Sequence, residues 1–402
     1  MISASAGSGK TTVLVRRVIE KLKAGTDIDS LLIVTFTEAA AREMKERIQS
    51  SIQDALAKES DPQKQAHYAR QLTLLPSANI STLHAFCLTV IRRYYYLIGI
   101  DPVFRMLTDE TETLLLKEEV WETLREEWYA SGDPLFYQLV ENFSNDRSDE
   151  GLTDLVMRLY LFAVASPNPS QWLQDLVVNY QSTTDLASNP LYQNQLKPQL
   201  AATLALGLSD YQQAWEQAEQ TADFHNYLEK LEPEINQAKR LKQALESDDV
   251  ASFYLQLSSL DLAARLMPKR NENKEASQEL LALRKSGREL ILSLREVMPY
   301  APEKALELME QAAPLVECLS ELTGQFLAAY RQRKLEKGLL DFNDLEHFTL
   351  AILQGDDTQQ VAAAYYRQRF VEVMVDEYQD VNRLQEAILY YVRQVSPEED
   401  QP

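Results

Sequence analysis

The stretch Ala4-Ser5-Ala6-Gly7-Ser8-Gly9-Lys10-Thr11 decides how the rest of this sequence is interpreted. It fits the phosphate-loop pattern G-x-x-x-x-G-K-[ST], with Ala4 in the position of the first glycine. Small residues let backbone N–H groups surround a polyphosphate; Lys10 supplies a cation for its β- and γ-phosphates, and the Thr11 hydroxyl can hold Mg²⁺. The next segment, 12–19, predicts a helix whose amino terminus favours the same anion. A chance Gly/Ser loop is the alternative, but the helix at the required place favours a nucleotide-driven enzyme.

The segment before this loop is unusually short. A phosphate loop normally follows a buried strand, and here only Met1, Ile2 and Ser3 precede it. The central strand would then be a stub, and no upstream residue could reach an adenine. We therefore expect the chain to be a fragment of a longer protein.

Composition sets the broad class of the protein. The 402 residues suffice for two or three domains, and 45% hydrophobic with 25% charged residues is normal for a soluble globular chain. Two cysteines cannot build a disulfide framework or a metal cluster, which suits a reducing cytoplasm. We see no signal peptide and no apolar run long enough to span a bilayer, so we expect a cytoplasmic protein without membrane contact.

The charge balance bears on nucleic-acid binding. A net charge of -21 argues against a protein that coats nucleic acid generally, but it leaves room for a local DNA track. The basic residues near the phosphate loop are Arg16, Arg17, Arg42, Lys45 and Arg47. The acidic excess in the middle of the chain is explained most simply by solvated helix faces.

Residues 1 to about 100 alternate between strand and helix patterns. The apolar run Leu31-Leu32-Ile33-Val34 predicts a buried parallel strand, and Thr37 is placed to cap a helix over 39–52. Residues 79–81 predict another strand, with Thr82 opening a helix that reaches Tyr94. This alternation is typical of an α/β domain.

From about 101 to 333 the pattern becomes helical. Amphipathic periodicity is clearest over 112–128 and 303–330, and no strand run is predicted. Proline-containing breaks lie at 166–170 and 188–190, and 269–274 predicts an exposed loop. We found no internal repeat.

The α/β pattern returns near the carboxyl terminus. Phe370-Val371-Glu372-Val373-Met374-Val375 predicts an apolar strand that runs into Asp376. We therefore predict a parallel-sheet phosphate-loop NTPase domain with a large all-helical insertion. Its parts would be residues 1–100, an insertion over 101–333, and a truncated second part over 334–402.

A strand that ends in Asp-Glu supplies the second half of a phosphate-loop ATPase. Asp376 would hold Mg²⁺ directly or through water, and Glu377 would be the general base that activates the attacking water. An acidic helix cap after a strand is the alternative interpretation. The phosphate loop in the same chain makes the catalytic interpretation the stronger one.

Gln379 extends this pair to Asp-Glu-x-Gln-Asp, which resembles the second motif of superfamily 1 helicases of the UvrD, Rep and RecB kind. In that family, with its RecA-like motor domains, the glutamine senses the γ-phosphate and links it to DNA movement. Three further segments also resemble motifs of this family: Thr35-Phe36-Thr37-Glu38-Ala39-Ala40-Ala41-Arg42-Glu43-Met44, Ser81-Thr82-Leu83-His84-Ala85-Phe86-Cys87 and Leu339-Leu340-Asp341-Phe342-Asn343-Asp344-Leu345.

Two of these segments are predicted to bind single-stranded DNA. Both follow strands of the sheet, at the edge where α/β proteins bind ligands. An exposed Phe36 would stack on a base, and Thr35, Thr37, Thr82 and His84 could bond phosphate or sugar without reading sequence. The alternatives are a core aromatic for Phe36 and a helix-capping or core histidine for His84.

Within this superfamily, several stretches are similar to the AddA-type (RexA-type) helicase–nuclease subunits. They are Gly99-Ile100-Asp101-Pro102-Val103-Phe104-Arg105 with Thr108-Asp109-Glu110-Thr111-Glu112, Asn142-Phe143 with 146–152, and 166–173. The resemblance implies an ATP- and Mg²⁺-dependent 3′–5′ DNA helicase that acts at DNA ends in double-strand-break repair and recombination. It also implies a heterodimer with an AddB- or RexB-type subunit.

The chain departs from this family in what it lacks. We find no upstream glutamine motif, no later helicase motifs with the arginine finger and no nuclease carboxylates. Since an arginine finger is worth about 10³–10⁵ in rate in such enzymes, we expect residues 1–402 alone to be inactive. The rival interpretations are a catalytically silent fragment, a UvrD- or Rep-like helicase without nuclease, and a non-helicase ATPase in which Gln379 is incidental.

Overall fold

The computed structural model describes residues 10–144, 148–181, 185–221, 224–262, 274–355 and 360–394. The chain divides into two compact units. One consists of Met1–Leu173 with Glu321–Pro402, and the other of Gln174–Ser320. The first unit carries both sheets of the described chain, and the second is helical in its described residues.

Five strands and sixteen helices are numbered in chain order over the described residues. The strands are β1 (Leu31–Thr35), β2 (Asn79–Thr82), β3 (Arg105–Met106), β4 (Leu339–Leu340) and β5 (Glu372–Val375). The helices are α1 (Lys10–Lys23), α2 (Glu38–Lys58), α3 (Pro62–Leu74), α4 (Leu83–Tyr94), α5 (Glu110–Ser131), α6 (Pro134–Phe143), α7 (Glu150–Val164), α8 (Pro169–Tyr180), α9 (Lys197–Gln220), α10 (His225–Glu246), α11 (Val250–Ser258), α12 (Lys274–Val297), α13 (Pro302–Glu336), α14 (Phe342–Gln354), α15 (Val361–Arg369) and α16 (Arg383–Val392).

The main sheet has the order β2-β1-β5, and both pairings are parallel. Every residue of β1 is buried, as expected for a central parallel strand covered on both faces. Leu31 and Ile33 pack into one core, with α1, α2, α3 and Met374 of β5. Leu32 and Val34 pack into the opposite core, with α4, α14, α15 and α16. The alternation of side chains along β1 thus joins two helical layers to one sheet.

A second, two-residue pairing lies in the same unit. Arg105–Met106 of β3 pairs in parallel with Leu339–Leu340 of β4. We predicted no strand over 101–333, so the prediction was wrong at 105–106. The reason is physical: two residues carry no periodicity, and the pairing depends on a partner more than 200 positions away in the chain.

The helical unit buries its own core around α9, α10, α11 and α12. Tyr211, Tyr227 and Phe253 are fully or almost fully buried in it. Helices α9 and α12 approach closely at Gly207 and Gly287, where a Cβ added to Gly287 would lie 2.7 Å from the Gly207 carbonyl oxygen. Only glycine on both helices allows this approach.

The predicted elements of the α/β part are close to those observed. β1, β2 and α4 match their predicted positions within about one residue, and α2 extends to Lys58. β5 begins at Glu372, because Phe370 ends α15 as a fully buried cap residue. Helix α13 continues to Glu336, past the predicted end at 330. Most of the predicted loop at 269–274 lies outside the described residues.

Candidate functional site

Three strands of the main sheet end at one edge. Thr35 of β1 lies opposite Thr82 of β2, and Val34 lies opposite Val375 of β5. The backbone N–H of Asp376 donates to the Val34 carbonyl oxygen at 2.9 Å. Because the strands are parallel, the segments that follow all three lie side by side at their carboxyl ends, where α/β folds bind ligands.

Helix α1 brings its amino terminus to the same edge. Near its carboxyl end, Lys21 Nζ lies 2.6 Å and Arg17 Nε 3.0 Å from the carboxylate of Glu372, the first residue of β5. Burial alone would raise the pKa of Glu372, but the hydrogen bonds from Lys21 and Arg17 outweigh it and lower the pKa. Ten helical residues separate Lys21 from Thr11, a rise of about 15 Å along α1. Four strand residues separate Glu372 from Asp376, a rise of roughly 13 Å along β5, so the two lengths are similar. Thr11 and Asp376 are therefore placed at the same end of the sheet.

The predicted phosphate loop is only partly within the described residues. The predicted nucleotide-binding residues Ala4, Ser5, Ala6, Gly7, Ser8 and Gly9 lie outside the described residues. The described part begins at Lys10, which is the first residue of α1, and Thr11 follows as a half-buried residue. The first turn of α1 offers backbone N–H groups and the positive end of its dipole to an anion at this edge.

The turn after β5 has unusual backbone geometry. Glu377 has φ 54° and ψ 46°, in the left-handed region that a residue with a Cβ rarely adopts. Gln379 Nε2 donates to a carboxylate oxygen of Glu377, and the Asp380 N–H donates to the Glu377 carbonyl oxygen at 3.0 Å. Such strain, of order 1 kcal/mol or more, tends to occur at functional sites. Here it places Asp376, Glu377 and Gln379 within one tight turn.

The segment after β1 exposes Phe36. Its side chain is 69% exposed, so the alternative of a core aromatic is wrong. Thr35 beside it is buried, and its hydroxyl donates to the Thr37 carbonyl oxygen at 3.1 Å. The Thr37 hydroxyl accepts from the Ala40 N–H at 3.0 Å and caps α2. The two threonines thus shape a loop that holds Phe36 outward.

The segment after β2 is hydrogen-bonded to α2 and to α14. Thr82 caps α4 by accepting from the Ala85 N–H, and its hydroxyl donates to Glu38 at 3.1 Å. His84 Nε2 donates to Glu346 Oε1 at 3.0 Å, and its ring lies 4.6 Å from the ring of Phe342. The His84 side chain is 35% exposed, so it is neither a core histidine nor the cap of the helix.

Helix α14 brings residues to this edge that we did not predict. Phe342 is 47% exposed beside His84, whereas Glu346 is almost fully buried. Gln385 of α16 also donates to Glu346 Oε1, at 2.7 Å. The signal that could have revealed Glu346 is a single acidic residue within the apolar face of α14. The sequence gives no indication of its partners, because they are 262 and 39 positions away.

The start of α14 is fixed by a buried charge cluster. Lys334 Nζ lies 2.6 Å from both Asp341 and Asp344, and the two aspartates form a capping box. Burial raises the pKa of Asp344 to about 6. Burial would also raise the pKa of Asp341, but the paired Lys334 ammonium outweighs it and lowers that pKa. This cluster holds Phe342, which lies between the two aspartates in sequence, at the edge of the sheet.

Most of the basic residues predicted near the phosphate loop have partners. Arg16 pairs with Glu20, Arg47 with Glu43, and Lys45 donates to the Pro76 carbonyl oxygen. Arg42, in the second turn of α2, is exposed and makes no ion pair with another described residue. It is therefore an exposed cation on the helix that begins two residues after Phe36.

Other kinds of site have no basis in the described part of the chain. No group of three or more His, Cys, Asp or Glu side chains there could hold a metal ion by itself. Within the same residues, no helix combines the length and apolar character needed to cross a membrane.

Comparison with known proteins gives a family match. Residues 1–397 match the sequence model of the UvrD/REP helicase N-terminal domain. The chain is 49% identical over 398 residues to an ATP-dependent helicase/nuclease subunit of Enterococcus faecalis, covering 98% of this chain and 32% of that protein. It is 44% identical over 407 residues to the protein of the same name from Levilactobacillus brevis and 42% over 413 residues to that from Ligilactobacillus salivarius, with 99% of this chain and 32% of each relative covered. The chain thus spans about a third of the length of these relatives.

Proposed function

The chain belongs to the UvrD/REP helicase family, and from this we propose that it forms the first ATP-hydrolysing motor domain of a DNA helicase–nuclease subunit. The observation that supports the proposal is the common edge of the three strands, which Phe36 follows after β1 and the Asp376–Glu377 turn follows after β5. The ion pairs of α1 with Glu372 are consistent with a start of α1 at the same edge. We further propose a RecA-like phosphate-loop fold over 1–100 and 334–402, with a helical insertion over 101–333.

The residues at this edge fit Mg²⁺ and ATP by their chemistry. The Thr11 hydroxyl and the Asp376 carboxylate are oxygen ligands of the kind that Mg²⁺ prefers, and bound Mg²⁺ would neutralise charge on the transferred phosphoryl group. Residues 4–9 would surround the phosphates with backbone N–H groups, and Lys10 would contribute its cation. The dipole of α1 adds to this attraction.

Glu377 is proposed as the general base that takes a proton from the attacking water. Its left-handed backbone holds the carboxylate in a fixed turn directly after β5. Gln379 donates to Glu377 from the same turn, which suits a residue that responds to the γ-phosphate and repositions the base.

The DNA-binding role is proposed for the segments that follow β1 and β2. Phe36, and Phe342 beside His84, offer exposed rings for base stacking, which needs no particular sequence. Thr37, Thr82 and His84 lie next to these rings and could bond sugar or phosphate. The hydroxyl of the buried Thr35 is directed to its own loop, so we assign it a shaping role in this track.

The remaining parts of the proposal depend on the relatives' names and on the resemblance of the motifs to the AddA type. We propose 3′–5′ travel on single-stranded DNA, action at DNA ends in double-strand-break repair, a cytoplasmic location and an AddB- or RexB-type partner. The nuclease activity would belong to other parts of the protein. The name helicase/nuclease that the relatives share favours this over a helicase without nuclease. A catalytically silent fragment remains the alternative for residues 1–402 taken alone.

The test uses Lys10→Ala in the full-length protein that contains this chain, assayed with its partner subunit. Loss of the phosphate cation should remove DNA-stimulated ATP hydrolysis and weaken ATP binding. Lys23→Ala is the matched control, because Lys23 is exposed at the opposite end of the same helix. DNA-stimulated hydrolysis that persists in Lys10→Ala would refute the proposed nucleotide site.

A further inference from the structure

Glu346 is a buried carboxylate that connects two elements of the sheet edge. One of its oxygens accepts hydrogen bonds from His84 Nε2 at 3.0 Å and from Gln385 Nε2 at 2.7 Å. Only 3% of its side chain is exposed, and its neighbours on α14 are largely apolar. Burying a carboxylate is costly unless hydrogen bonds compensate it, so both contacts are strongly favoured.

From Glu346, the contact with Gln385 leads to the turn that follows β5. Both ends of the Gln385 side-chain amide are hydrogen-bonded, because its Oε1 accepts from the backbone N–H of Asn382. In return, the Asn382 side chain accepts from the backbone N–H of Gln385 at 2.8 Å and caps α16. Asn382 is only two residues beyond Asp380, which closes the Asp376–Asp380 turn. The turn is therefore joined to Gln385 through a short helix cap that two hydrogen bonds hold in place.

From Glu346, the contact with His84 leads to the exposed aromatic rings. The His84 ring packs against Phe342, and Thr82, two residues earlier, donates to Glu38 just after Phe36. The contacts thus run without interruption from the Asp376–Asp380 turn through Gln385, Glu346 and His84 to Phe342. This continuous path identifies the contacts whose removal would interrupt a coupling between the two sites.

We propose that Glu346 is a positioning residue that couples the nucleotide-responsive turn 376–380 to the single-strand-binding rings. This inference rests on the proposed function and assigns to Glu346 a role distinct from either site. Its hydrogen bonds fix the relative positions of α16 and the start of α4. Without them, each site would keep its own residues, but nucleotide binding would no longer alter the grip on DNA.

The measurement is the ratio of single-stranded DNA affinities with and without a non-hydrolysable ATP analogue. It is made on the full-length protein with its partner subunit. Couplings between sites are typically about 5- to 150-fold. Glu346→Leu removes the acceptor of both contacts, so the ratio should fall several-fold towards one. Gln385→Ala removes only the contact to α16 and should lower the ratio in the same direction, with DNA affinity without nucleotide within about twofold of wild type.

A conservative substitution separates coupling from simple stabilisation. In Glu346→Gln, the amide oxygen can still accept from both His84 and Gln385, as one carboxylate oxygen does in the wild type. The ratio should therefore stay within about threefold of wild type, whereas Gln385→Glu should lower it because two carboxylates face each other. Glu234→Gln, another buried carboxylate in the helical unit, controls for the loss of a buried charge.

The outcomes distinguish this inference from the proposed function. If the ATP analogue does not change the DNA affinity of the wild-type protein, and DNA does not stimulate its ATP hydrolysis, the proposed function itself is refuted. A coupled wild type with an unchanged ratio in Gln385→Ala would overturn only the role of Glu346. A ratio that falls in Glu346→Gln as far as in Glu346→Leu, in proteins that fold, would also overturn it.

Discussion

The edge of the main sheet and the core of the helical unit differ in which side chains they leave exposed to solvent. In the helical unit, Glu234 and Arg284 are each only 4% exposed and form a two-point ion pair between α10 and α12. At the sheet edge, Phe36 is exposed and Glu377 occupies a strained backbone conformation. A neutralised, buried pair is explained by packing alone. The helical unit also holds a left-handed carboxylate residue, Asp248, but its side chain is paired with Lys197. The edge of the sheet combines the left-handed Glu377 with an exposed ring after the neighbouring strand, and this combination is the structural reason for placing function there.

The largest effect is expected at Glu377. Glu377→Gln keeps the size of the side chain and a hydrogen-bond acceptor but removes the base, so DNA-stimulated ATP hydrolysis should fall by about 10²–10⁴. Binding of ATP should remain close to that of the wild type, as measured with a fluorescent nucleotide in the full-length protein. A variant with ordinary turnover would show that the strained turn is not catalytic, and the contrast between the two regions would lose its functional meaning.

The next effect concerns the helical unit. Glu234→Ala leaves Arg284 without its buried carboxylate partner, which typically destabilises a protein by about 3–5 kcal/mol. Denaturant unfolding combined with hydrogen exchange in α10 and α12 measures this loss. The exposed Glu246, which pairs with Lys242 on α10, provides the control, since Glu246→Ala should change stability little. If Glu234→Ala unfolds no more readily than Glu246→Ala, the buried pair does not stabilise this core.

The smallest of the three effects is expected at Phe36. Phe36→Ala should weaken single-stranded DNA binding by about 1–3 kcal/mol, the usual contribution of one stacked base. The dependence of affinity on salt should hardly change, because stacking releases no counterions. Arg42→Gln should instead reduce that dependence.

Tyr96→Ala is the matched control for the aromatic substitution. Tyr96 is 60% exposed but lies beyond the carboxyl end of α4, which runs back from the binding edge. Its removal should leave DNA affinity unchanged. If Phe36→Ala and Tyr96→Ala lower the affinity for single-stranded DNA equally, the position of Phe36 at the edge of the sheet does not determine DNA binding.

The sequence was sufficient for the central strands and their caps because these signals are local. A run of four apolar residues predicts β1, and Thr37 and Thr82 cap the following helices as expected from their side chains. The short strand β3 and the start of β5 were harder to place. β3 depends on a partner distant in the chain, and its two residues carry too little periodicity to be recognised. β5 starts two residues later than predicted because Phe370 caps α15.

What the sequence by itself determined is the pattern of the individual motifs: residues 4–11 that fit a phosphate loop, an Asp-Glu pair at 376 and 377, and aromatic and polar residues after two strands. For the residues that the structure describes, the tertiary structure decided which motifs lie at one edge, through the parallel pairing of β1 with β2 and β5 and the ion pairs that hold α1 against Glu372. The network at Glu346 belongs entirely to this second class. Its hydrogen bonds join α4, α14 and α16 across the fold, and contacts between such distant segments leave no pattern in a single sequence.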